Sequence, residues 1–308
     1  MSAAPDRANF VTAWAPAKIN LYLHVGAPGA GGLHPVDSLV IFADTRAADR
    51  ISARIFPQLS LGIDGPASKT LRNAPNNLTL AAANALREAS DRTGLGADLK
   101  LHKELPVAGG VGGGSSDAAA TLHLLNDMWD INFGEAALER LATQLGSDVP
   151  ACVRCRPLVM RGTGERLYDV AAPDLPTVLV NPGVLLETRK VFERFDQIGA
   201  SRNFRETDPP QMRGASDFVG DLEGYRNDLQ AAAIALCPEI ERTLQAIRAE
   251  KGCLIARMSG SGPTCFGIFD SDEAAAAAAV NIAARKRKYW VRATTLRGGS
   301  PPVTSLDA

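Results

Sequence analysis

At 308 residues, with 45% hydrophobic and 22% charged residues, the chain has the composition of a soluble protein and the length of two domains, each able to bury its own core. A formal net charge of −1 excludes the electrostatic pull that nucleic acid or an acidic membrane surface requires, so a small-molecule partner is expected, with no nucleic acid and no membrane. Residues 1–14 lack a basic start followed by an apolar core, and no run of about 18 apolar residues occurs, so neither a signal peptide nor a membrane span is expected and the protein reads as cytoplasmic.

The first ordered stretch is AWAPAKINLYLHVG. From Lys18 to Val25 apolar and polar residues alternate, which predicts a strand with Ile19, Leu21, Leu23 and Val25 on the core face and Lys18, Asn20, Tyr22 and His24 on the other. Lys18 and Asn20 therefore project together, although a strand lysine is ordinarily just solvated. Ala27 to Asp37 is a loop by its Gly and Pro content and carries His34. Strands follow between Ser38 and Phe56, then a helix from Asn77 to Arg92, and then a short strand within ADLKLHKELP.

That strand delivers the chain to PVAGGVGGGSSDAAATLHLLN, Pro106 to Asn126. Here the glycines give way to a helix with Ala118, Leu122, Leu125 and Trp129 on one face. The first backbone N–H groups of a helix have no internal partners and carry the positive end of its dipole, so such a junction suits a phosphate. Gly109, Gly110, Gly112, Gly113 and Gly114 let the backbone wrap an anion closely, and Ser115 and Ser116 can cap the helix or offer hydroxyls to phosphate or magnesium. The stretch matches neither GxxxxGK(S/T) nor GxGxxG. A flexible turn before an ordinary capped helix is the bland alternative, at an entropic cost that packing would not return.

A helix from Glu135 to Leu145 follows, with Gly146 as its stop, and Asp148 comes directly after it in Ser147-Asp148-Val149-Pro150. In isolation that aspartate reads as a turn or cap residue. ACVRCRP reads as a strand, in which Cys152 and Cys155 face opposite ways and cannot chelate one metal. The five cysteines are odd in number and scattered, as reduced thiols are. Arg156 to Val170 reads as a hairpin around Gly162-Thr163-Gly164, with the domain boundary near its start, dividing the chain into 1–157 and 158–308.

The second half reads as a strand at Thr177–Pro182, a helix from Thr188 holding Val191, Phe192 and Phe195, and a polar loop from Gly199 to Asp217. One helix capped by Asn227 runs to about Lys251. A strand, a turn from Ser259 to Pro263 and a second strand come next, before an alanine-rich helix (Glu273 to Lys288) and a last strand, YWVRATTL. The basic residues from Arg285 to Lys288 fall in that helix's final turn, where its dipole favours cations.

Three separated segments, PAKINL, PVAGGVGGGSSDAAATLHLLN and SGSGPTCF, resemble in order the three motifs of the GHMP small-molecule kinases. The central motif is most similar to the branch of 4-diphosphocytidyl-2-C-methyl-D-erythritol kinases, which also carries a G(A/S)DVP segment with the catalytic aspartate. The resemblance implies an α+β fold of two domains, a ribosomal-protein-S5-domain-2-like ATP-binding and catalytic domain and a ferredoxin-like C-terminal substrate domain. It implies ATP on Pro106, Val107, Ala108, Gly109, Gly110, Val111, Gly112, Gly113, Gly114, Ser115 and Ser116, with Mg²⁺ bridging the β and γ phosphates through ligands it does not identify.

Asp148 would be the general base on the substrate 2-hydroxyl and Lys18 its electrostatic partner. Asn20, His34, Thr188 and Phe192 would hold the cytidine-diphosphate-linked polyol. The pathway implied is non-mevalonate isoprenoid synthesis, and the assembly a monomer or weak homodimer. Leu33 stands where the branch has an aromatic, and Val111 where it has leucine. Competing readings are a kinase of another alcohol, of homoserine or mevalonate type, a non-catalytic ATP sensor, and a nucleic-acid module disfavoured by the net charge.

Overall fold

The computed structural model describes residues 10–29, 31–71, 77–92, 94–199, 204–212 and 214–300, and the backbone of Thr304–Ser305. In chain order the N-terminal half runs β1 (Val11–Pro16), β2 (Lys18–Val25), β3 (Val36–Ala43), β4 (Ala48–Ile55), β5 (Ser60–Asp64), α1 (Leu78–Ala89), β6 (Ala97–His102), α2 (Gly113–Met128), α3 (Glu135–Ala142) and α4 (Val149–Arg154). The chain continues through β7 (Leu158–Gly162), β8 (Arg166–Asp169), β9 (Leu175–Asn181), α5 (Thr188–Gln197), α6 (Ala215–Leu222), α7 (Gln230–Leu236), α8 (Glu239–Arg248), β10 (Cys253–Met258), β11 (Cys265–Phe269), α9 (Asp272–Arg285), β12 (Trp290–Arg297) and β13 (Thr304–Ser305).

Two sheets organise these elements. A five-stranded sheet in the order β13-β1-β4-β6-β5 carries α1 and α2 on one face. Its core holds Ile51, Leu99 and Leu101 from the strands against Leu86, Leu122, Leu125 and Trp129 from the helices. An eight-stranded sheet runs β10-β11-β9-β12-β3-β7-β8, with β2 added on β3. Strands from both halves of the chain share this second sheet, since β12 pairs with β3 through Leu296 opposite Ala43.

The predicted helices and strands around the glycine stretch are present, and α1 starts as its sequence directs, with the Asn77 side chain accepting from the Thr79 N–H at 2.9 Å. Four local expectations are corrected. ACVRCRP is not a strand: α4 covers Val149–Arg154, because Pro150 in the first turn is pre-organised for a helix and lacks only an N–H that would be unpaired there. The expected helix from Asn227 to Lys251 is two, α7 and α8, divided at Cys237-Pro238, where proline can continue no hydrogen bond from before it. The loop expected to reach Asp217 ends earlier, as α6 already begins at Ala215, while residues 200–203 and 213 lie outside the described ones. Finally, α9 ends at Arg285, so Lys286 to Lys288 lie beyond its last turn.

A further difference concerns β2. Lys18 pairs with Phe42 and Asn20 with Val40, but Tyr22 pairs with Leu39 and His24 with Asp37, across an irregularity between Asn20 and Tyr22. Directly paired residues share a face, and neighbours along β3 alternate faces, so this bulge reverses the strand. Lys18 and Asn20 share the face of Leu23 and Val25, and Tyr22 and His24 share the other with Ile19. The alternation expected over all eight residues holds only up to the bulge.

Candidate active site

The glycine stretch closes on the start of α2. Gly112 is the N-cap, in the left-handed conformation at φ 61° and ψ 20°, with no side-chain cap. The cap expected from Ser115 or Ser116 is therefore not made. Both serines lie inside the first turns, and the buried Ser116 hydroxyl donates to Cys152 Sγ at 3.4 Å. The earliest backbone bond of the helix runs from the Ser116 N–H to the Gly112 carbonyl at 2.8 Å, which leaves the amides of Gly113, Gly114 and Ser115 for a ligand.

Two of the glycines are required by what surrounds them. A Cβ on Gly110, at φ 72°, would stand 2.6 Å from the Ser259 carbonyl oxygen and 2.7 Å from that of Gly262. One on Gly112 would stand 3.0 Å from Lys18 Cβ and 3.1 Å from Lys18 Cε. The loop thus lies pressed between the turn after β10 and β2. Its hydrogen bonds confirm this: the Lys18 N–H donates to the Val111 carbonyl at 2.8 Å, the Thr264 N–H to Gly109 at 3.1 Å, and the Ser259 hydroxyl to Gly110 at 3.0 Å. The three segments read from the sequence meet at one place.

At that place Lys18 Nζ lies 2.8 Å from Asp148 Oδ1. The lysine side chain is 5% exposed and the aspartate 39%, so the ammonium is walled in while the carboxylate remains open to an incoming group. Asp148 precedes α4 but its side chain makes no cap bond, which leaves both oxygens for other work. Asn20, on the same face of β2 as Lys18, donates through Nδ2 to the Ser38 hydroxyl at 2.8 Å, and that hydroxyl donates to the Tyr22 carbonyl at 2.6 Å.

A cavity of about 980 Å³ joins these groups to the second cluster of predicted residues. Pro106, Val107, Ala108, Gly109, Gly110, Gly112, Gly113, Gly114 and Ser115 line it together with Lys18, Asn20 and Asp148. Val111 does not; its side chain is buried in the core beneath the loop, and Ser116 likewise faces inward. His34, Thr188 and Phe192 line the same cavity. The His34 and Phe192 rings lie 4.9 Å apart at 41°, and His34 Nδ1 is 2.8 Å from the Gly26 carbonyl. Since a carbonyl only accepts, Nδ1 carries a proton, and Nε2 is turned to Asp196 Oδ2 at 3.4 Å. Thr188 shares a 2.8 Å hydrogen bond with Ser261, which ties α5 to the SGSG turn. Leu33 is 64% exposed at the cavity's edge.

One cluster escaped the sequence reading. Lys103 Nζ lies between Asp49 Oδ2 at 2.5 Å and Asp117 Oδ2 at 2.6 Å, all three side chains being buried. Asp49 Oδ1 accepts from the Glu104 and Leu105 N–H groups at 2.7 and 2.8 Å, just before the glycine stretch, and Asp117 sits in the first turns of α2 just after it. The cluster clamps both ends of the loop. Burial pushes the Asp117 carboxyl up to about 8 against the pull of Lys103, with Asp49 adding to the rise, and Asp117 Oδ1 has no partner. Lys103 and Asp117 flank the loop in sequence and could have been suspected as charges in apolar surroundings. Asp49, in a different strand, has no local signal.

The chain matches the family model of the GHMP kinases N terminal domain over residues 77–156 and that of the GHMP kinases C terminal over 216–287. It is 45% identical to the 4-diphosphocytidyl-2-C-methyl-D-erythritol kinase of Hyphomonas neptunium, over 94% of this chain and 98% of that one. The chain belongs to the 4-diphosphocytidyl-2-C-methyl-D-erythritol kinase family. A kinase of the same name from Cereibacter sphaeroides is 43% identical over 93% of this chain and 99% of that one. A crystal structure of 4-(cytidine 5'-diphospho)-2C-methyl-D-erythritol kinase superposes with a TM-score of 0.73 at 30% identity, covering 92% of this chain and 98% of that one. The homoserine kinase of Cytophaga hutchinsonii, at 14% identity and a TM-score of 0.67, shares the fold. The expected two-domain GHMP kinase fold, mixing helices and sheets, is therefore the fold of this family member.

Proposed function

We propose that the protein transfers the γ-phosphoryl group of ATP to the 2-hydroxyl of 4-diphosphocytidyl-2-C-methyl-D-erythritol, in non-mevalonate isoprenoid precursor synthesis. The observation that carries this reading is the 2.8 Å contact of Lys18 with Asp148 beside a loop of free helix-start amides. The triphosphate lies along Gly109 to Ser115, whose amides and helix dipole favour its charge. Asp148 accepts the proton of the acceptor hydroxyl as the new P–O bond forms, a general-base contribution of about 10²–10⁴ in rate. Lys18 offsets the negative charge that develops on the transferring group and orients the carboxylate. Asn20 steadies the acceptor, and His34, Phe192 and Thr188 hold the cytidine end.

Mg²⁺ takes most of its ligands from phosphate oxygens and water and needs few from protein, which suits a cavity whose lining includes the Ser115 hydroxyl and the Asp148 carboxylate. When bound with ATP it neutralises phosphate charge. No helix among the described residues is long and apolar enough to cross a membrane. Residues 1–157 act here as the ATP-binding and catalytic domain and 158–308 as the second domain. The assembly proposed is a monomer or weak homodimer.

The test is ADP release with 4-diphosphocytidyl-2-C-methyl-D-erythritol against homoserine and mevalonate. Turnover confined to the first is expected. Preference for either of the others would replace the substrate, and ATP binding without turnover on any of them would make the protein a sensor.

A further inference from the structure

β2 pairs with β3 along one edge, and its other edge is satisfied piece by piece. The Lys18 N–H reaches Val111, the Asn20 N–H reaches the Ser259 hydroxyl at 3.1 Å, and beyond the bulge the Leu23 N–H reaches the Arg226 carbonyl at 3.0 Å. Between them, at the bulge itself, the Leu21 carbonyl accepts from Arg257 Nη1 at 2.5 Å. Arg257 is 8% exposed, and its Nη2 donates to the Leu222 and Tyr225 carbonyls at 3.0 and 2.6 Å. Among the described residues no carboxylate forms an ion pair with it, and burial lowers it to about 10. A buried guanidinium with no counter-ion is costly to keep, and here it is spent on three backbone oxygens.

One of those oxygens is that of the bulge residue, and the other two belong to the end of α6 and the segment after it. Leu21 is the residue at which β2 changes face, and Tyr225 stacks on Tyr22 at 4.6 Å on the far side of the sheet. With the pairing of Tyr22 to Val25 kept, a strand without its bulge would carry both Asn20 and Lys18 onto that far face, because side chains alternate with a period of two. We propose that Arg257 is a positioning residue for phosphoryl transfer, holding the Leu21 carbonyl so that Lys18 and Asn20 face the cavity while Tyr22 and His24 face away. The proposal rests on the kinase reading, in which Lys18 acts beside Asp148. Two residues further along, Ser259 binds both Asn20 and Gly110, so the end of β10 sets the catalytic strand and the phosphate loop together.

The experiment is a double-mutant cycle on the full chain, with Arg257→Lys and Arg257→Gln each made in the wild type and in Lys18→Met. Wild-type turnover of the cytidine substrate, measured first, reports on the kinase reading independently of Arg257. Because a misplacement of about 1 Å costs on the order of 10² in rate, kcat should fall about 30- to 100-fold in both single variants, with the KM for ATP within about threefold. In the Lys18→Met background the same changes should cost at least about threefold less than in the wild type, since the displaced ammonium is already gone and only Asn20 is left to move. An equal loss in both backgrounds would overturn the proposal, as would unchanged kcat with only a lower melting temperature. Failure of both variants to fold would assign Arg257 to stability alone and overturn it too.

Discussion

Replacing Lys18 by Met removes the ammonium and keeps most of the stem. Two quantities decide the outcome. The lost charge lies 2.8 Å from Asp148, inside a site where the lysine side chain is only 5% exposed, so water cannot substitute for it. Loss of a comparable electrostatic group costs about 2.7–4 kcal/mol of transition-state stabilisation, or roughly 10²–10³ in kcat. Stability should respond differently. Breaking a fully buried pair costs about 3–5 kcal/mol because the orphaned charge stays dry. Asp148 is 39% exposed and is rehydrated when its partner goes, while the buried ammonium's own desolvation cost disappears. The expected loss of folding free energy is therefore at most about 1 kcal/mol, the range of an exposed pair. Steady-state ADP release, nucleotide titration and thermal denaturation of the same preparation measure turnover, ATP affinity and stability. A kcat within threefold of wild type would refute the role of the ammonium, and a large drop in stability with ATP binding lost would show that Lys18 holds the fold and not the reaction.

Gly110→Ala should abolish nucleotide binding, since the new Cβ meets two backbone oxygens at 2.6 and 2.7 Å and the left-handed conformation adds about 1–2 kcal/mol; a wild-type ATP affinity by titration would show that the loop can move aside. Phe192→Ala should raise the KM for the cytidine substrate about two- to tenfold, the loss of one ring contact, with the KM for ATP unchanged; an equal effect on both substrates would detach Phe192 from the cytidine end. Asp117, raised to about 8, keeps its proton at neutral pH, and its ionisation above that value places a second negative charge behind the phosphate loop. The KM for ATP should rise through pH 8 in the wild type and not in Asp117→Asn, and parallel profiles would dispose of the idea. The linkage has the same sign for folding. The folded state holds a proton that the unfolded carboxylate releases, so this group's contribution is present below the ordinary carboxylate range and is lost as pH rises towards 8.

The glycine stretch as an anion-suited helix start was legible in the chain alone, whereas Lys18 and Asp148 were paired only through resemblance, since by themselves they read as a solvated lysine and a turn residue. Five glycines before a helix constrain the backbone locally, while the 2.8 Å approach of Lys18 to Asp148 is made only by the fold. His34 and Phe192 were placed through resemblance, and the structure brings their rings to 4.9 Å. Tertiary structure decided the rest. The bulge in β2 is invisible to a pattern of alternation, because the partner that satisfies its freed carbonyl, Arg257, is 236 positions away. The clamp of Asp49, Lys103 and Asp117 draws on β4, the residue just after β6 and α2, and the buried ammonium is tolerable only with the carboxyl groups of the other two around it. Local conformational freedom is written residue by residue, whereas the pairing of buried polar groups depends on which distant segments the fold brings into reach.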